Sequence, residues 1–175
     1  MIWPTHCYVG VSQDVRTVRV AAFCRIKICW THAFLAFHFE DPDGAVCERV
    51  FEADWAGLHF SPWDKAHQAD GWALFADDRM TPQNAALLWA FCLGAEGKVY
   101  EWPLLVRLAL RLIRQAWGFA KRRVIGRGGI AQVCSSLVNE ASRAIFGEAY
   151  ADRPDPSPDE IVVNSHLHLH QEGET

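Results

Sequence analysis

Residues 31–53 read THAFLAFHFEDPDGAVCERVFEA: an aromatic-rich run, a turn and a returning run. Thr31 to Phe39 has the composition of a strand, and Glu40-Asp41-Pro42-Asp43-Gly44 is a strong turn signal. Val46 to Ala53 is then the second strand of a hairpin. Outward from it, His6 to Ser12 and Gly71 to Ala76 read as further short strands. Val18 to Trp30 is ambiguous, because its apolar residues alternate yet also suit a helix. The second half is helical. Thr81-Pro82 is an N-cap followed by an N1 proline, opening a helix that stops near Gly94. Pro103 to about Ala120 is amphipathic, with Arg107, Arg111 and Arg114 on one face. A third helix spans about Cys134 to Phe146, and Ile161 to Val163 reads as a short last strand after a proline-rich loop. Strands gathered in one half and helices in the other, without βαβ alternation, predict an α+β domain. We place that single domain at residues 1–163, with 164–175 as a C-terminal tail.

Composition bounds the function. The chain has 175 residues, is half apolar, and carries 17 basic against 21 acidic side chains, a net charge of −4. That balance excludes wholesale disorder and argues against a nucleic-acid binder. The most apolar stretch, Trp102 to Ala120, is broken by the three arginines, so no transmembrane segment is expected. The N-terminus lacks the pattern of a secretory signal, which points to synthesis in the cytoplasm. The six cysteines, at 7, 24, 29, 47, 92 and 134, then read as free thiols, and no CxxC pair occurs.

Cys134 is the cysteine with a chemical context. It stands where a loop turns into a helix, and helix N-termini offer unpaired N–H groups and positive potential that favour a thiolate or an oxyanion. Most buried cysteines are inert packing residues, so a base is the next requirement. His32 opens the first strand of the hairpin. With the turn centred near Pro42, residue i faces residue 84 − i, which sets Glu52 opposite His32. A carboxylate there would orient the imidazole and stabilise its protonated form. A register error of one residue turns Glu52 to the other face and leaves Glu48 and Asp54 as alternatives.

On these residues the chain resembles the circularly permuted NlpC/P60-like cysteine hydrolases, the YiiX-like branch of the papain-like fold. The matching elements are Trp30-Thr31-His32-Ala33-Phe34-Leu35, then Val50-Phe51-Glu52-Ala53 with Gly57, then Cys134-Ser135-Ser136-Leu137-Val138, then Ser157-Pro158-Asp159-Glu160-Ile161. Gly97-Lys98-Val99-Tyr100-Glu101-Trp102 looks like the family's Gly-x-x-Tyr-Asp stretch. Ser136 stands where the family often has glutamate, and Ala33 or Leu35 where it has glycine in the histidine strand. The resemblance implies a papain-like antiparallel sheet packed against helices, with a catalytic Cys134, His32 and Glu52. It makes Tyr100, together with Ser135 beside the nucleophile, a substrate-binding candidate. It implies a peptidase or amidase forming a thioester, acting on an amide of peptidoglycan stem peptides or on a lipid ester or amide, with no cofactor and no metal. A wall hydrolase made without an export signal needs another delivery route, such as a phage-like particle.

Other signals point elsewhere. A silent site on the same fold would make the chain a structural or binding component of a larger assembly, with partner proteins in a particle or cell wall. His166, His168 and His170 would line one face of a strand, the basis of a metal-dependent hydrolase, although a solvated tail or edge strand is the commoner outcome. Gly126-Arg127-Gly128-Gly129 lacks the Lys-Ser/Thr of a phosphate loop and reads as a flexible approach to the Cys134 helix. The basic residues from Arg107 to Arg127 read as a solvated face or a contact for an anionic surface. The tryptophans at 55, 63, 72, 89, 102 and 117 suit either a groove or a core.

Overall fold

The computed structural model describes residues 3–15, 18–19, 29–40, 46–54, 57–66, 69–98, 131–152 and 156–174. The helix expected at 103–120, the glycine-rich loop at 126–129, the basic stripe, Tyr100, Cys24 and most of 18–30 lie outside them. Six strands form one sheet: β1 (His6–Gln13), β2 (His32–Glu40), β3 (Val46–Asp54), β4 (Gly57–Pro62), β5 (Gly71–Asp77) and β6 (Leu167–Glu174). Their spatial order is β4-β3-β2-β1-β5-β6, and every adjacent pair is antiparallel. The helices are α1 (Trp63–Ala66), α2 (Pro82–Ala95), α3 (Ala131–Phe146) and α4 (Pro158–Val162). The domain is therefore α+β with an antiparallel sheet. Among the described residues no helix is long and apolar enough to cross a membrane.

The central strand β2 reads as a continuous apolar run because both of its faces are covered. Ala33, Leu35, Phe37 and Phe39 join Val9, Val11, Phe51 and Ala73 in the main core. Onto this face α2 sets Ala85, Leu88, Cys92 and Ala95, and α3 sets Cys134, Leu137, Val138 and Ala141, at the spacing of a helical stripe. Trp89 of α2 meets Phe60 at 4.3 Å and stands edge-on to Phe37 at 5.1 Å between ring centres. The opposite face carries a smaller cluster of Phe34, Ala36, Val50, Trp72 and Leu74 with Tyr8 and Trp63.

Gly10 makes the smaller cluster possible. It pairs with Phe34, and a Cβ on it would lie 2.0 Å from the Phe34 ring. Gly10→Val is therefore expected to destabilise the fold by about 2 kcal/mol or more through overpacking. Urea denaturation measures this, and an unchanged midpoint would count against the packing described.

Two parts of the chain differ from the sequence expectation. Ile161 to Val163 is not a strand. Ser157 caps α4, its hydroxyl accepting from the Glu160 N–H while the Glu160 carboxylate accepts from the Ser157 N–H, with Pro158 at the first position. These local bonds override the strand preference of Ile161, Val162 and Val163. Residues 167–174, set outside the domain as a tail, are β6, the edge strand that is one of the two outcomes expected for the histidine segment, hydrogen-bonded to β5 with a bulge between Leu74 and Phe75. Of the three histidines there, His166 precedes the strand and its Nδ1 lies 2.9 Å from Asp78. His170 stacks on Tyr8, so the three imidazoles are not gathered around one point.

Candidate active site

The hairpin register is 86 − i, as in Leu35 with Phe51 and His38 with Glu48, a shift of two from the expected 84 − i. A shift of two moves a residue along the strand without changing its face. Glu52 thus remains on the side of His32 as a diagonal neighbour, and its Oε2 lies 3.1 Å from His32 Nε2. Of the alternatives, Glu48 pairs with His38 at 3.4 Å, and Asp54 lies 3.6 Å from His59. The other Glu52 oxygen, Oε1, accepts from the Ser61 hydroxyl at 2.6 Å and has His59 Nε2 at 3.7 Å. Both carboxylate oxygens are therefore engaged, which fixes its direction.

His32 is anchored along the chain before it. Thr31 donates from its N–H to Ser12 O at 2.9 Å. The Asp159 carboxylate accepts from the N–H groups of Cys29 and Trp30, at 3.1 and 3.3 Å. The Ser-Pro-Asp-Glu turn of α4 thus holds the residues leading into the histidine strand.

Cys134 sits in the first turn of α3 and is 1% exposed. Its sulfur accepts from the Ala33 N–H at 3.4 Å, and it hydrogen-bonds the His32 side chain. Since Nε2 of His32 faces Glu52, Nδ1 is left for the sulfur. The His32 side chain is 24% exposed and Glu52 is 12% exposed, so the imidazole is the solvent-facing member of the group. Sulfur, imidazole and carboxylate form one continuous chain of contacts.

The electrostatics follow from these contacts. Burial pushes the Cys134 thiol up, but the His32 charge and hydrogen bond, with the N–H groups of Ala33 and Ser135, outweigh it and leave the thiol below its ordinary value. Burial pulls His32 down, and the adjoining sulfur and Glu52 more than reverse that, raising it well above an ordinary histidine. Cys7 and Cys92 are equally buried, and there burial drives the thiol up. What separates Cys134 from them is its partner.

Ser135 is fully buried and its hydroxyl donates to Pro156 O, tying α3 to the loop before α4. Its side chain thus supports the start of the helix that carries Cys134. Tyr100, the other substrate-binding candidate, lies outside the described residues.

Comparison with protein-family models, curated proteins and solved structures gives no match. The chemistry of the site therefore rests on its own geometry.

The neighbours Ser61 and His59 escaped the sequence reading because β4 did. Leu58 and Phe60 alternate there with His59 and Ser61 over six residues. That period of two was the available signal, in a segment ending at Pro62.

Proposed function

We propose that the chain is a cysteine hydrolase, a peptidase or amidase that cleaves an amide through a thioester on Cys134. One observation carries this reading. Of three equally buried cysteines, Cys134 alone touches an imidazole among the described residues, and that imidazole is held by a carboxylate. In the resting pair Cys134 is the thiolate and His32 the imidazolium. The thiolate attacks the carbonyl, and backbone N–H groups of the first turn of α3 hold the oxyanion. His32 gives its proton to the leaving amine as the thioester forms. Neutral His32 then takes a proton from water, which attacks the thioester and releases the acid. Glu52 keeps the ring oriented and favours its charged form through both steps.

The order His32, Glu52, Cys134 along the chain, with base and acid on a hairpin and the nucleophile on a later helix, agrees with the permuted NlpC/P60-like resemblance. That resemblance alone supports peptidoglycan stem peptides as substrate and a phage-like particle as delivery route. Digestion of purified muropeptides tests the reading. The wild type is expected to release cleaved stem peptides and Cys134→Ala none. Equal product from both would refute it. No product from either, with an unreactive Cys134, would favour a structural component with a silent site.

A further inference from the structure

Glu52 stands between two imidazoles. Its Oε2 lies 3.1 Å from His32 Nε2, and its Oε1 lies 3.7 Å from Nε2 of His59, which faces Glu52 across the β3–β4 ladder. The carboxylate is therefore within a small rotation of either ring, and only the bond to His32 serves Cys134. While its ring is neutral, His59 offers no hydrogen to Oε1. Its Nδ1 lies 3.2 Å from Gly57 O, and a carbonyl only accepts, so Nδ1 carries the ring hydrogen and Nε2 turns a lone pair toward the carboxylate. Asp54 Oδ1, 3.6 Å from the same Nδ1, favours the same tautomer.

Ser61 supplies the hydrogen that His59 withholds. It pairs with Val50 in the ladder, which makes it the diagonal neighbour of Glu52 on one face of the sheet. Its hydroxyl donates to Oε1 at 2.6 Å, the length of a hydrogen bond to a charged carboxylate, and the residue is 4% exposed.

We propose that Ser61 is a positioning residue of the site, whose hydroxyl holds the Glu52 carboxylate on His32 and away from His59. The inference rests on the proposed triad, in which Glu52 orients His32 and favours its imidazolium. Without the hydroxyl, Oε1 faces a lone pair in a largely buried place, and the carboxylate relieves this by turning or by taking up a proton. Either response weakens its hold on the His32 charge. Among the described residues, the titratable groups facing His32 are Cys134 of α3 and Glu52 of β3, with His59 and Asp54 behind Glu52.

The test reads His32 without the nucleophile. In Cys134→Ala protein with isotope-labelled histidine, NMR follows the titration of His32. Adding Ser61→Ala is expected to lower its midpoint by at least about half a pH unit. Ser61→Thr keeps the hydroxyl and is expected to titrate as the parent does. In a Glu52→Gln background, Ser61→Ala is expected to move the midpoint no further, because Ser61 acts through Glu52. An unmoved midpoint in Ser61→Ala overturns the proposal, as does a threonine protein that falls with the alanine one. A fall of equal size in the Glu52→Gln background also overturns it, since that shows a general loosening of β4. The titration does not involve Cys134. An unreactive Cys134 in the wild type would therefore refute the hydrolase, while the His32 midpoint would still decide the role of Ser61.

Discussion

His32→Ala is expected to cut alkylation of Cys134 at pH 6 by about a hundredfold or more. Without the imidazole, burial acts on the thiol with only the N–H groups of Ala33 and Ser135 to oppose it. An ordinary thiol, with a value near 8.5, is less than about 1% thiolate at pH 6. The sign of the pH dependence follows from the two opposed shifts. Cys134 is lowered, so the thiolate persists into acid and is lost only when the pH falls through that lowered value. His32 is raised, so the imidazolium persists above neutrality and is lost as the pH rises through the raised value. Hydrolysis needs both charges, one to attack and one to protonate the leaving amine, and its profile is expected to be bell-shaped between those limits. Glu52→Gln keeps the shape and removes the charge, so it is expected to narrow the bell from its alkaline side. An unaltered alkylation rate in His32→Ala would remove the imidazole from the account.

The second large effect falls on stability, at the other end of α3. The Asp77 side chain is 0% exposed and accepts from Arg79 Nη2 at 2.8 Å, and it accepts from the Tyr150 hydroxyl at 2.8 Å. Arg79 also lies 4.3 Å over the Phe146 ring. Asp77→Ala leaves the guanidinium and the phenol without their acceptor, and is expected to lower stability by about 3 kcal/mol and Tm by roughly 10 °C. Burial pushes the Asp77 carboxyl up, but the Arg79 and Tyr150 hydrogen bonds outweigh it and leave it below the usual carboxylate value. A lowered value means that the stabilisation is complete above the unfolded carboxylate value, near 3.9, and lost as the pH falls through the folded one. The wild-type advantage over Asp77→Ala is thus expected to be constant from pH 7 to 5 and to shrink only in stronger acid. Differential scanning calorimetry of both proteins measures it. Equal melting temperatures at neutral pH would show that this network contributes nothing.

The hairpin was legible because its two runs and its turn are each strongly marked, and Cys134, His32 and Glu52 follow from it and from one helix start. The register was not legible to the residue, since Pro42 marks a turn without fixing how many residues it contains. The error was even, so the face of Glu52 survived it. Ile161, Val162 and Val163 misled because β-branched residues speak for strands. There a capping box four residues upstream decided the conformation. The Asp77–Tyr150 bond was out of reach for another reason: its partners are 73 residues apart, and no local pattern announces such a pairing. The support of His32 by Asp159 is of the same kind, with 129 residues between that carboxylate and the Trp30 N–H.

The central claim is that Cys134 exists as a thiolate paired with His32. Residue-resolved iodoacetamide labelling of the wild type from pH 5 to 9, followed by peptide mass spectrometry, tests it most directly. The Cys134 rate is expected to stay nearly level from neutrality into mild acid, where a model-peptide cysteine loses about tenfold per pH unit, while Cys7 and Cys92 remain unlabelled. A Cys134 rate that falls tenfold per unit alongside the model peptide would contradict the ion pair, and with it the proposed hydrolase.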